Sequence, residues 1–251
     1  MPTQRSVLVT GGAAGIGLAI ARGFVALGHR VLLADVSESV RAVADRLSTP
    51  DAPVHAQVAD IGDEAQVLGV ARRAGELFGG CDILVNCAGM SSKRNGQPVP
   101  PTEVTMADWE RVLRVNLTAP FLLSRELIPG MRQRGFGRIV NIASRAGRTF
   151  VAPAGADYAA SKAALIGLTR HLAGTYAPDG ITVNCVAPGR IETALSSLSS
   201  PEVIAAATRA IPMRRLGDTD EVAAAVLFLA SEQASYVTGT CVDVNGGVFM
   251  G

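Results

Sequence analysis

The sequence predicts an α/β chain built on a doubly wound parallel sheet of about seven strands, with helices on both faces. Three observations point there. Short runs rich in Val and Ile are apolar nearly throughout, as in strands covered on both faces. Longer segments with helical spacing separate these runs, and strand–helix–strand repetition means parallel pairing through right-handed crossovers. Finally, 251 residues with 48% hydrophobic and 18% charged residues suit one sizeable core, and no Pro/Gly/Ser-rich linker divides the chain. The expected organisation is a single domain over residues 1–251.

In order, the predicted strands are Val7–Thr10, Val31–Ala34, Val54–Val58, Ile83–Val85, Ile139–Ile142, Ile181–Val186 and Cys241–Val244. Between them the apolar spacing predicts helices at Ile16–Leu27, Val40–Leu47, Glu64–Phe78, Trp109–Arg134, Tyr158–Tyr176 and Glu221–Leu229. Two stretches break the rhythm. Met90–Thr105 holds three prolines and a glycine, and Ile191–Pro212 is rich in serine. Irregular segments this long in a compact domain tend to be functional, so a substrate loop is expected near 191–212.

Composition excludes several classes. Lys plus Arg is 23 and Asp plus Glu is 22, a formal net charge of +1, without the basic excess of a nucleic-acid binder. The most apolar stretch, Ala223–Ala230, is far short of the roughly 20 residues that span a bilayer. Met1–Ser6 leads directly into Val7–Val9 without the layout of a secretion signal, so the expected location is the cytoplasm. Cys81, Cys87, Cys185 and Cys241 are scattered and read as small buried residues, with neither a metal site nor a disulfide framework expected.

The first strand runs into Gly11-Gly12-Ala13-Ala14-Gly15-Ile16-Gly17 and then a helix. A glycine-rich turn between strand and helix lets backbone N–H groups approach a pyrophosphate, assisted by the helix dipole. The spacing is T-G-x-x-x-G-x-G on Thr10, Gly11, Gly15 and Gly17, with Ile16 inside it. Asp35 ends the second strand 20 residues after Gly15, where a carboxylate accepts hydrogen bonds from an adenosine ribose. A carboxylate there repels the 2′-phosphate of NADP, and Ala14, Val36 and Ser37 offer no basic residue in compensation. The expected cofactor is therefore NAD. Glycines in an ordinary tight turn and an aspartate capping a helix are the plain alternative.

Tyr158 and Lys162 stand four apart at the start of a helical pattern, which puts them on one face. The chain uses arginine almost everywhere; its only lysines are Lys93 and Lys162. A compact ammonium cannot be replaced by the planar guanidinium where space is tight.

Thr10-Gly-x-x-x-Gly15-x-Gly17, Asn86-Cys-Ala-Gly89, Asn116, Ser144, Tyr158-x-x-x-Lys162 and Pro188-Gly189 occur in an order and spacing that resemble the short-chain dehydrogenase/reductase family over essentially the whole chain. The family's common N-N-A-G is here Asn86-Cys87-Ala88-Gly89. The resemblance implies a Rossmann-type fold and hydride transfer between nicotinamide and a secondary alcohol or ketone. It implies Tyr158 as acid/base, Lys162 lowering the tyrosine pKa and bonding the nicotinamide ribose, Ser144 orienting the substrate oxygen, and Asn116 positioning a water beside the lysine. An unperturbed tyrosine, pKa about 10, needs such help to act as a base near neutrality. Asp60 and Ile61 are expected at the adenine, Asn86, Ala88 and Gly89 along the adenosine ribose, and Pro188, Gly189, Ile191 and Thr193 over the nicotinamide. The resemblance also implies a homotetramer, joined through helices Trp109–Arg134 and Tyr158–Tyr176 and through Val242–Gly251.

The substrate is less legible. The pattern resembles both 3-oxoacyl-carrier-protein reductases and sugar or polyol dehydrogenases, and the NAD-favouring Asp35 leans toward alcohol oxidation. Arg145 and Arg148 beside Ser144, with Lys93-Arg94, read either as contacts for an anionic or polyhydroxylated substrate or as solvated surface residues. Two other classes compete: a non-catalytic NAD-binding sensor or scaffold, and a methyltransferase. Both leave the Tyr158/Lys162 pair without work.

Overall fold

The computed structural model describes residues 3–192 and 201–251. Seven parallel strands form one sheet: β1 (Ser6–Thr10), β2 (Arg30–Asp35), β3 (Val54–Val58), β4 (Ile83–Asn86), β7 (Gly137–Ile142), β8 (Ile181–Pro188) and β9 (Cys241–Val244), in the order β3-β2-β1-β4-β7-β8-β9. Strands β1, β4, β7 and β8 are buried along their entire length, which explains their unbroken apolar character. A two-residue hairpin, β5 (Lys93–Arg94) and β6 (Gln97–Pro98), lies within the proline-containing stretch after β4.

Helices α1 (Gly15–Ala26), α2 (Ser39–Leu47) and α8 (Thr219–Ala230) cover one face of the sheet. Their Ile20, Phe24, Val43, Val222 and Val226 pack on Val7, Val9, Val31 and Leu33. On the other face, α3 (Glu64–Phe78), α5 (Ala119–Arg134) and α6 (Ala156–Tyr176) bury Leu8, Leu32, Leu84 and Ile139. Leu, Val and Ile side chains buried this way each contribute about 1.5–3 kcal/mol. Among the described residues, no helix is long and apolar enough to cross a membrane.

Every predicted strand and helix is present; Val54–Val58, Glu64–Phe78 and Cys241–Val244 keep the predicted ends, and the others shift or divide. Strand β4 runs one residue further and β8 two, so that Asn86 and Pro188 are the last residues of their strands. The single helix expected over Trp109–Arg134 is three pieces: α4 (Met106–Leu113), one π-helical turn at Arg114–Thr118, and α5. Apolar spacing continues through all three, so periodicity cannot reveal the widened turn. The stretch expected as a substrate loop near 191–212 contains α7 (Pro201–Ala210).

The chain winds outward from β1 to β2 and β3, then crosses back to β4 and continues to β9. The switch lies between β1 and β4, where an open α/β sheet forms its ligand crevice beyond the carboxyl ends of the strands.

Candidate active site

At the carboxyl end of β1 the chain turns through residues with backbone only glycine adopts easily: Gly11 has φ +71° and Gly15 +53°. A Cβ on Gly11 would come 2.8 Å from the Ala88 Cα, and one on Gly17 would overlap the Gly11 carbonyl oxygen. The Thr10 hydroxyl fastens the neighbouring turn, accepting from the N–H groups of Cys87 (3.1 Å) and Ala88 (3.2 Å). Helix α1 begins at Gly15 with neither a side-chain cap nor an acidic residue in its first turn. No side chain of the helix itself thus occupies its N-terminal N–H groups, which suits a pyrophosphate. One oxygen of Asp35 accepts from the Ala13 N–H (3.0 Å) and the other from the Ser37 N–H (2.9 Å), so the carboxylate sits against this turn.

The helix carrying Tyr158 and Lys162 lies over β7 and β8. Lys162 is only 3% exposed, and its ammonium donates to the Ile142 carbonyl oxygen at the end of β7 (2.7 Å). Burial lowers its pKa to about 8. The Nζ atom stands 5.7 Å from the centroid of the Tyr158 ring. Burial raises the phenol's pKa, while the nearby Ser144 side chain pulls it partly back. Burial is the larger influence on the phenol, and the lysine ammonium donates to Ile142. Ser144 ends the segment after β7 and accepts from the Ala146 N–H (3.1 Å), capping a short 3₁₀ turn.

Asn116 lies in the π-helical turn and is wholly buried. Its amide accepts from the Met90 N–H (2.8 Å) and donates to the Met90 carbonyl (2.8 Å) and to the Ser161 hydroxyl (2.9 Å). Ser161 in turn donates to the Tyr158 carbonyl oxygen (2.7 Å). The asparagine therefore ties the segment at Met90 to α6, and a regular α-turn would aim its side chain elsewhere. A Cβ placed on Gly89 would lie 3.2 Å from the lysine Nζ and 3.4 Å from the Asn116 Oδ1, so both atoms converge on that glycine. Gly89→Ala is expected to displace the ammonium and lower kcat about tenfold, checked by steady-state kinetics; an unchanged kcat means the lysine tolerates the methyl.

Other predicted residues stand at the same edge of the sheet, several with their side chains already engaged. Asp60 accepts from the Gly62 N–H (2.8 Å) and pairs with Arg111 (2.7 Å). Although burial raises its pKa, these partners outweigh that and hold it below the usual range. Ile61 is a core residue. Asn86 is buried and donates to Asn141 (2.7 Å), which donates to Thr169 (2.8 Å), so its side chain braces β4 against β7 and α6. Ala88 and Gly89 remain partly exposed at the end of β4. Pro188 and Ile191 are buried, and a Cβ on Gly189 would come 2.8 Å from the Asn245 Cα. Thr193 lies outside the described residues. Arg148 is engaged with Asp243 (2.6 Å), and Arg94 with Glu103 (2.5 Å). Two residues the sequence reading missed are Ser161 and Asp157. Asp157 is fully buried and accepts from the N–H groups of Ser92 (3.1 Å) and Tyr158 (2.7 Å). The available signal was a charge immediately before the tyrosine at the start of a largely apolar helix.

The sequence pattern of the family described as Enoyl-(Acyl carrier protein) reductase matches residues 11–249. Nodulation protein G of Rhizobium sp. (strain N33) is 42% identical over 252 residues, 99% of this chain and 98% of that protein. A crystal structure of a 3-oxoacyl-[acyl-carrier protein] reductase with bound NAD from Brucella melitensis superposes with TM-score 0.92 at 39% identity, covering 100% of this chain and 93% of the other. A putative NAD(P) dependent gluconate 5-dehydrogenase from Beutenbergia cavernae, with bound NADP at low occupancy, gives TM-score 0.89 at 38% identity, covering 98% and 97%.

Proposed function

Because the chain belongs to the short-chain dehydrogenase/reductase family of nicotinamide-dependent oxidoreductases, we propose that it is an NAD(H)-dependent enzyme interconverting a secondary alcohol and a ketone within a single domain. The observation that carries this reading is the convergence of Ser144, Tyr158 and Lys162 beyond the same strand ends as the glycine turn. Bound nicotinamide supplies or accepts the hydride. The residues fit such a cofactor: Gly11, Gly15, Ile16 and Gly17 would hold the pyrophosphate through backbone N–H groups, and Asp35 the adenosine ribose. Asp60, Ile61, Asn86, Ala88 and Gly89 would border the adenosine, and Pro188, Gly189, Ile191 and Thr193 the nicotinamide, Asn86 and Ile61 through their backbones.

Tyr158 moves the proton at the substrate oxygen. With its pKa raised by burial, the phenol is protonated at neutral pH and suited to donate to a carbonyl oxygen as that oxygen gains charge. The same group takes the proton back in alcohol oxidation; the printed name of the Brucella relative is that of a reductase, while Asp35 leans toward oxidation. Ser144 orients the carbonyl, Lys162 sets positive charge beside the phenol, and Asn116 holds the Met90 segment against the catalytic helix. A sensor without turnover or a methyltransferase needs none of these groups.

The test is a screen of ketone and hydroxy substrates, including sugars, polyols, hydroxy acids and 3-hydroxyacyl thioesters, with both cofactors. Turnover with NAD(H) is expected, and none with any member would overturn the reading. For the cofactor, Asp35→Ala is expected to bring NADPH affinity up about tenfold while weakening NADH, read by fluorescence titration; equal affinities of the unaltered protein for both would remove the proposed preference. We also propose a homotetramer. The groove between α5 and α6, lined by Phe121, Ile128, Pro129, Leu172 and Tyr176, supports one interface.

A further inference from the structure

The turn after β7 carries Ser144 and ends at Arg148, and it is gripped from two sides. On the inner side, Gly147 lies directly on the catalytic helix: a Cβ there would come 2.6 Å from the Lys162 carbonyl carbon and 2.8 Å from the Ala163 nitrogen. On the outer side, the Arg148 guanidinium reaches across to β9. Its Nη1 donates to the Asp243 carboxylate (2.6 Å) and to the Cys241 carbonyl (3.2 Å), and its Nη2 to the Gly251 carbonyl (2.8 Å). The same group lies over the Phe249 ring at 4.8 Å. The Arg148 and Asp243 side chains are 18% and 19% exposed. Most other ion pairs of the described residues sit in solvent, where salt and side-chain entropy leave them little worth.

This is more bracing than a solvated surface arginine has. The turn's own bonds, Gly147 N–H to the Ser144 carbonyl (3.0 Å) and Arg148 N–H to the Arg145 carbonyl (2.9 Å), shape it internally but do not fix it to the sheet. At its start the Ala143 N–H donates to the Val186 carbonyl of β8 (2.8 Å), and at its far end Arg148 fixes it, through a partner 95 residues further along the chain. A planar fork meeting a carboxylate and two carbonyls fixes direction as well as distance, which an ammonium or a neutral side chain cannot reproduce.

We propose that Arg148 and Asp243 are positioning residues of the active site: by clamping the turn to β9 and the segment beyond it, they hold the Ser144 hydroxyl at the Tyr158 phenol. The inference rests on the catalytic reading of Ser144 and Tyr158 given above. It replaces the idea that Arg148 meets an anionic substrate.

The test compares kcat and KM for Arg148→Met, Ser144→Ala and the double variant, with Asp243→Asn as a second way to open the clamp should Arg148→Met fail to fold. Arg148→Met is expected to lower kcat about tenfold with the NADH dissociation constant unchanged. In the Ser144→Ala background the same change is expected to cost less than about twofold, because an effect exerted through the serine has nothing left to act on. A merely structural role would lower both backgrounds alike. The clamp is overturned if Arg148→Met keeps kcat within twofold, or if its full loss persists without the serine. Should Ser144→Ala itself be fully active, the catalytic reading fails first and the clamp with it. An impaired Ser144→Ala beside a normal Arg148→Met removes the clamp alone.

Discussion

Tyr158→Phe is expected to reduce turnover about a thousandfold, within the range that a positioned proton donor contributes, while leaving NADH binding nearly unchanged. The substitution removes one oxygen and keeps the ring. The glycine turn and Asp35, which would hold the dinucleotide, lie between β1 and α1 and at the end of β2, on other elements than the tyrosine. The phenol's raised pKa makes the hydroxyl a donor at neutral pH. Its loss therefore removes the proton that a reduced carbonyl oxygen must receive, and the Ser144 hydroxyl, itself a weak acid, cannot replace it. Steady-state rates with a fluorescence titration of NADH separate the two effects. Activity within tenfold of the unaltered enzyme would assign the acid to another group.

Lys162→Met is expected to abolish activity and yet stabilise the unliganded protein. A buried ammonium held at about 8 rather than 10.5 carries a desolvation cost of roughly 3 kcal/mol at neutral pH. Methionine fills similar space without the charge. The substitution also leaves the buried Ile142 carbonyl without this donor, at a cost of about 1–3 kcal/mol, so a net gain of about 1 kcal/mol remains. For a chain of this size that is a rise in Tm of about 2–4 °C. The pH dependence gives a second readout. Below pH 8 the lysine is protonated in both folded and unfolded chains. Between about 8 and 10.5 the unfolded chain still holds the proton and the folded one has released it, so this group makes the native protein more stable as pH rises through that window. Lys162→Met should lose that increment. A lower Tm in the variant, or an unaltered pH slope, would show the ammonium to be satisfied where it lies.

The buried lysine illustrates how a functional site departs from what folding alone prefers. Asn116 and Asp157 are likewise fully buried, and hydrogen bonds consume their polar atoms. All three join α6 to the end of β7 or to the segment after β4, so removing any one leaves a buried polar partner unsatisfied.

From residue order alone came whatever depends on near neighbours: seven apolar strands, the helices between them, the glycine turn at β1, the acid at the end of β2, and Tyr158 facing the same way as Lys162. Those features repeat every two or 3.6 residues or lie within one turn, and local sterics and burial dictate them. Three-dimensional packing decided the rest. It widened one turn to aim Asn116 at Met90, set a helix at 201–210 where a loop was expected, and paired Arg148 with an aspartate far along the chain. It also set the burial that raises the tyrosine's pKa, since the balance between desolvation and neighbouring charge exists only once the surrounding protein has closed around the group.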